Sequence, residues 1–161
     1  LLEAVKLLKG DVDLKVYVVG KQEASEGYGT NLARQLGISD RVTFTGYVST
    51  DELVRLYSSA EIGVTSSVYE GFGLPAAEAM ACGTPVIATR AGALPEIVGD
   101  DAAGILVPPG DPQALATAIK RLLADKPLRQ RMGQAARKRI EDVFSWQAAA
   151  KKTVEVYREL L

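Results

Sequence analysis

The sequence predicts an α/β protein built on a doubly wound parallel sheet. Three observations carry that expectation. Short apolar runs rich in Val and Ile alternate with segments that are apolar at helical spacing, as in β-α units joined by parallel strands. Strand-like runs give way to glycine, as Val19 does at Gly20 and Thr45 at Gly46. A length of 161 residues suits one domain that hides about 70% of the surface of its unfolded chain, enough for a core between two helical layers.

The elements follow in order. Leu1–Lys9 reads as a helix closed by Gly10, and Leu14–Val19 as a buried strand. A polar loop passes Gly27 and Gly29 to Thr30, and Asn31–Gly37 is a helix with glycine at its C-cap. Val42–Thr45 is the next strand, leading through Gly46 and Tyr47 to Val48. Ser49 or Thr50 can cap a helix Asp51–Ser59, because either hydroxyl accepts from an orphan N–H of the first turn. Ala60–Thr65 reads as a buried strand. Beyond the turn at Ser66–Gly73 a helix begins with Leu74 as its N-cap and Pro75 in its first turn, where the missing N–H does no harm. Pro85–Ala88 and Gly104–Val107 are further strands, the first followed by a loop at 89–96. After the turn Pro108–Asp111 the chain is helical over Pro112–Ala124, Pro127–Val143 and Trp146–Leu161. The sum is a Rossmann-like three-layer αβα sandwich.

In such sheets ligands bind outside the carboxyl ends of the strands. Gly20, Gly46, the 66–78 loop and the 89–96 loop lie on that edge. The turn Glu70-Gly71-Phe72-Gly73-Leu74-Pro75 stands out among them. Leucine offers no acceptor to a helix start, so the N–H groups of Gly73, Leu74, Ala76 and Ala77 are expected to face open space at the positive end of the helix dipole. That describes an anion site suited to phosphate, and glycine allows a ligand close to the backbone. Glu70 and Glu78 frame the turn. Alone, Glu78 suits the dipole and Glu70 is a solvated loop charge; around an uncapped turn the pair reads as a site. Asp11-Val12-Asp13 has the spacing of a metal–diphosphate motif but falls on the opposite edge, and reads as a solvated turn. Gly20–Ser25 lacks the spaced glycines of a dinucleotide-binding turn. Arg137-Lys138-Arg139 reads as a solvated helix face, with peripheral contact to an anionic membrane as the alternative.

Composition narrows the chemistry. There is no histidine, which excludes imidazole acid–base catalysis, Ser-His triads and His-ligated metals within these residues. The single cysteine, Cys82, forms no internal disulfide and fits a reducing, cytoplasmic compartment. A net charge of −1 gives no electrostatic reason to expect nucleic acid, and no run approaches the length of a membrane span.

The stretch Glu70-Gly-Phe-Gly-Leu-Pro-Ala-Ala-Glu78, continuing through Ala79-Met-Ala-Cys-Gly-Thr-Pro-Val-Ile-Ala88, closely resembles the donor-site signature of the group 1 retaining glycosyltransferases of the GT-B fold. The resemblance covers essentially the whole chain, but only as the C-terminal, nucleotide-sugar-binding half of such an enzyme. It implies a UDP-, GDP- or ADP-sugar donor and no metal or other cofactor. It implies that Glu78 holds the ribose hydroxyls and that N–H groups around Gly73 and Leu74 bind the distal phosphate. Gly71 and Phe72 belong to the same donor turn, Glu70 is the catalytic candidate on the hydroxyls of the transferred sugar, and Val48 sits where the family contacts the base. Arg90–Glu96 resembles the family's next donor-side loop.

Two departures matter. The family's tight Gly-x-Gly-Pro turn is replaced after Gly20 by a longer loop through Gly27-Tyr28-Gly29. Family domains also begin with a strand and a loop carrying an Arg and a Lys that clamp the diphosphate, whereas this chain begins one helix later. The absent strand is expected between Lys15–Val19 and Glu61–Thr65. A domain binding an acceptor sugar, lipid or small molecule is likewise expected outside residues 1–161. The expectation is a hexosyltransferase donor domain, inactive alone. The alternatives are a non-catalytic nucleotide-binding fragment, or a sugar-nucleotide epimerase of the same fold.

Overall fold

A computed structural model describes residues 1–20 and 27–160. Its strands are β1 (Val16–Val19), β2 (Val42–Gly46), β3 (Gly63–Thr65), β4 (Val86–Thr89) and β5 (Gly104–Val107). Its helices are α1 (Leu2–Leu7), α2 (Tyr28–Gln35), α3 (Thr50–Ser59), α4 (Leu74–Ala81), α5 (Leu94–Val98), α6 (Pro112–Ala124), α7 (Lys126–Arg139) and α8 (Trp146–Glu159). The α/β class with parallel strands is as expected. The strands form two sheets: β1 pairs with β2, while β3, β4 and β5 make a separate parallel sheet in that order.

β4 is the centre of the core, and all four of its residues are buried. Successive side chains on a strand point to opposite faces. Ile87 therefore joins a cluster with Ala4, Leu8, Leu115, Ile119 and Leu122. Val86 and Ala88 join Ala76, Met80, Leu94, Ile97 and Ala136 on the other side. A strand covered on both faces reads as a continuous apolar run, which is why Pro85–Ala88 was legible. Helix α1 ties the two sheets together. Ala4, in α1, and Leu8, just past its end, face the β4 cluster, while Val5 packs with Ala33, Ile38 and Val42 beneath β1 and β2.

The starts of α3, α6, α7 and α8 are set by side-chain caps. Ser49 rather than Thr50 caps α3, its Oγ accepting from the Glu52 N–H at 3.2 Å. Asp111, Asp125 and Ser145 accept in the same way from Ala114, Leu128 and Ala148.

Other expectations need correcting. β1 is only half-buried, with Tyr17 55% and Val19 37% exposed, because no helix among the described residues covers their face. Helix α2 starts at Tyr28 instead of Asn31. Gly27 is its extended N-cap, and Gly29, which suggested a loop, is buried within the helix. The 89–96 segment is not loop throughout: α5 starts at Leu94, with Pro95 in its first turn and Gly99 ending it. The helix expected to run to Val143 is α-helical only to Arg139 and then widens into a π-helical turn, Ile140–Phe144. The stretch Lys21–Ser25, read as departing from a phosphate-binding turn, and Leu161 lie outside the described residues.

Candidate functional site

The 66–73 loop leaves the carboxyl end of β3 and turns sharply into α4. Gly73 makes the turn with φ +91° and ψ +31°, a left-handed conformation that favours glycine. It, and not Leu74, is the N-cap, because the helical residues begin at Leu74 and place Pro75 second. A β-carbon at Gly73 would also press on Leu94 Cδ2 at 3.1 Å.

Each backbone N–H of this helix start needs an acceptor. The Gly73 N–H donates to Glu70 Oε1 at 3.2 Å, and the Ala77 N–H donates to Gly73 O at 3.0 Å. Neither is open, contrary to the sequence expectation, because the chain supplies its own acceptor for each. Pro75 has no N–H. The N–H groups of Leu74 and Ala76 meet no acceptor among the described residues. Two donors therefore remain at the positive end of α4.

Glu70 is held from several sides. Ser67 Oγ donates to Oε2 at 3.1 Å, opposite the Gly73 bond. The main-chain oxygen of Glu70 accepts from Ala93 N–H at 3.1 Å. Gly92, at φ +51°, lies so close that a β-carbon there would sit 1.9 Å from that oxygen. The 89–93 segment is thus built against the Glu70 turn and belongs to the site. Gly71 has open space where a side chain would be, and the Phe72 ring is 56% exposed.

Glu78 lies one turn into α4 with its carboxylate in solvent. Tyr57 of α3 reaches it, Oη donating to Oε2 at 3.5 Å. Burial, and secondarily the Glu78 charge, pushes the Tyr57 phenol up to about 12, so it stays protonated as a donor. Thr84 Oγ1 donates to Tyr57 O at 2.6 Å and fixes that residue's backbone. The sequence reading missed Tyr57, since a tyrosine on the half-buried side of an amphipathic helix carries no signal of what it faces.

Glu70, Gly71, Phe72, Gly73, Leu74 and Glu78 thus share one turn. Val48 follows the carboxyl end of β2, half-buried on the same edge but beside the other sheet. The arrangement offers two N–H donors for an anion, flanked by two carboxylates with acceptor sites to spare for hydroxyl groups. The site is an open edge. Two hollows among the described residues, of about 280 and 360 Å³, lie elsewhere, one beside Ala103 and Arg139 and the other beside Leu8 and Lys120.

Asp11 and the Arg137–Arg139 run have structural partners. Asp11 pairs with Lys120 at 2.6 Å, which holds its carboxyl below the usual range. Arg137 and Lys138 pair with Glu141 and Asp142, and Arg139 donates to the main-chain oxygens of Ile97 and Glu96. Among the described residues no group of three or more His, Cys, Asp or Glu converges, and no helix is long and apolar enough to cross a membrane.

Comparison with known proteins gives a consistent picture. Residues 1–139 match the family model described as glycosyl transferases, group 1. The chain is 44% identical over 162 residues to the MMP alpha-(1->4)-mannosyltransferase of Mycolicibacterium hassiacum, covering all of this chain and 39% of that protein. Among solved structures, sucrose-phosphate synthase from Thermosynechococcus elongatus is 38% identical with a TM-score of 0.83, over 99% of this chain and 42% of that one. The C-terminal domain of a group 1 family glycosyl transferase (LpcC) from Francisella tularensis is 34% identical with a TM-score of 0.78. That match covers 90% of this chain and 77% of the domain. The chain spans well under half the length of the mannosyltransferase and the synthase.

Proposed function

Because this chain belongs to the group 1 glycosyl transferases, we propose that it is the donor-binding half of an enzyme that transfers a sugar from a nucleoside diphosphate to an acceptor. The observation that carries this reading is the start of α4, where the unpartnered N–H groups of Leu74 and Ala76 lie between the carboxylates of Glu70 and Glu78. The distal phosphate of the donor binds those two N–H groups. Glu78, steadied by Tyr57, accepts from both ribose hydroxyls. Glu70 keeps its bonds to Ser67 and Gly73 and uses its remaining lone pairs for hydroxyls of the transferred sugar. Gly71 leaves room for the donor, Phe72 flanks it, and Val48 lines the base.

As the glycosidic bond breaks, negative charge grows on the departing diphosphate. The fixed dipoles at the start of α4 are already aimed at it, which lowers the barrier without reorganisation. The transfer retains configuration and uses no metal. Two carboxylates beside a diphosphate call for cations as well, and these come from a loop outside residues 1–161. The sheet topology supports that reading, since β1 and β3 are not paired to each other, and a further parallel strand between them would carry such a loop at its carboxyl end. The acceptor, a sugar, a lipid or a small molecule, is held by a further domain, and the enzyme works in the cytoplasm.

The experiment is transfer by the full-length polypeptide in EDTA, with the anomeric configuration of the product read by proton NMR. An α-linked product from an α-linked donor supports the proposal. Inversion, or a requirement for a divalent cation, overturns the mechanism.

A further inference from the structure

We propose that Ser67 is a positioning residue that aims the Glu70 carboxylate at the donor, with Thr89 holding Ser67 in place. The inference rests on the reading that Glu70 meets the transferred sugar, and goes beyond it by naming what fixes Glu70. Three observations carry it. Among the described residues, Ser67 is the side chain that bonds Glu70, donating to Oε2 at 3.1 Å while the Gly73 N–H donates to Oε1 at 3.2 Å. An ionised carboxylate only accepts, so one donor on each oxygen orients the head group while lone pairs remain for a ligand. Ser67 is itself set from the core. Thr89, 3% exposed at the end of β4, donates through Oγ1 to the main-chain oxygen of Ser67 at 2.6 Å. Four residues on, the Ala93 N–H bonds Glu70 O. Thr89 at the end of β4 and Ala93 at the start of α5 thus hold the loop at the two ends of the Ser67–Glu70 span, and the hydroxyl of Ser67 passes that rigidity to the carboxylate.

A hydroxyl that merely stabilised the loop would be fully replaced by any change that kept the loop folded. A positioning hydroxyl controls the Glu70 rotamer and the interaction with the sugar separately from the nucleotide. The test compares the parent chain with Ser67→Ala, Ser67→Thr and Glu70→Gln, each first checked for unchanged thermal unfolding. Three-bond NMR couplings report the χ1 angle of Glu70. It is expected to be fixed in the parent and in Ser67→Thr, and averaged in Ser67→Ala. Calorimetry then gives the affinity of each protein for UDP, GDP and ADP and for UDP-glucose, GDP-mannose and ADP-glucose. The ratio between conjugate and parent nucleotide is expected to shift about fivefold in Ser67→Ala, in the same direction as in Glu70→Gln, and to return in Ser67→Thr. A fixed Glu70 in Ser67→Ala, or a ratio moved by Glu70→Gln but not by Ser67→Ala, overturns the role of Ser67 and leaves the sugar reading standing. A ratio that Glu70→Gln does not move overturns the sugar reading itself.

Discussion

Glu78 is exposed and its charge is useful only if something orients it, which makes Tyr57 part of the same unit. Tyr57→Phe is expected to weaken nucleotide binding a few-fold, by calorimetry, while Glu78→Ala weakens it tenfold or more because two ribose hydroxyls lose their acceptor. The same phenol gives a pH signature. Its raised value in the folded state means that folding favours the protonated form, so its contribution is complete below about pH 10 and is lost as pH rises towards 12. Urea unfolding between pH 9 and 12 should therefore show a shallower alkaline loss of stability for Tyr57→Phe than for the parent. Gly92 makes a steric prediction. A β-carbon 1.9 Å from Glu70 O cannot be accommodated at a positive φ, so Gly92→Ala should cost more than about 1 kcal/mol and disturb the donor turn. Thermal unfolding and nucleotide binding check the two parts. Of these residues, Glu70, Gly73 and Glu78 were legible as a candidate site because their spacing around a helix start with no side-chain cap has a chemical meaning. Tyr57, Ser67 and Thr89 were not, since each acts through a partner 3 to 22 positions away in sequence that only the fold brings near.

The elements differ in how firmly they are held. Among the described residues, β4 lies between two clusters of ten buried residues each, whereas the β1–β2 sheet rests on a cluster of four. Amide hydrogen exchange should therefore be slowest in β4 and markedly faster in β1, whose opening frees little buried apolar surface. Equal protection in the two strands would contradict this. Ile87→Ala, at a fully buried site, should cost about 2–5 kcal/mol. Strand and helix types were readable because the apolar period changes from element to element. The short α5 was not, because five residues give too little period and Ala93 provides no capping side chain. The extra length of α2 was hidden by Gly29, a poor helix former that the tertiary fold accepts.

At the scale of the whole molecule, several surfaces lack cover among the described residues. β1 and β3 are not paired to each other, and Tyr17 and Val19 lie open on a parallel sheet, where both faces are normally covered. No residue of α8 is buried, and Trp146, Tyr157 and Leu160 are 90%, 63% and 78% exposed. These features agree with a chain that spans 39% of the mannosyltransferase it resembles. Adding the strand expected between β1 and β3 should raise the melting temperature and slow exchange in β1; no change in either would contradict the proposed gap. The central claim is that the start of α4 is the donor site. It is tested most directly by calorimetric titration of this chain, and of an upstream-extended form, with UDP, GDP and ADP in EDTA, alongside Glu78→Ala. The account predicts metal-independent binding of one nucleotide, lost in the variant and tighter in the extended form. Binding that Glu78→Ala leaves intact, or no binding by either form, would contradict it.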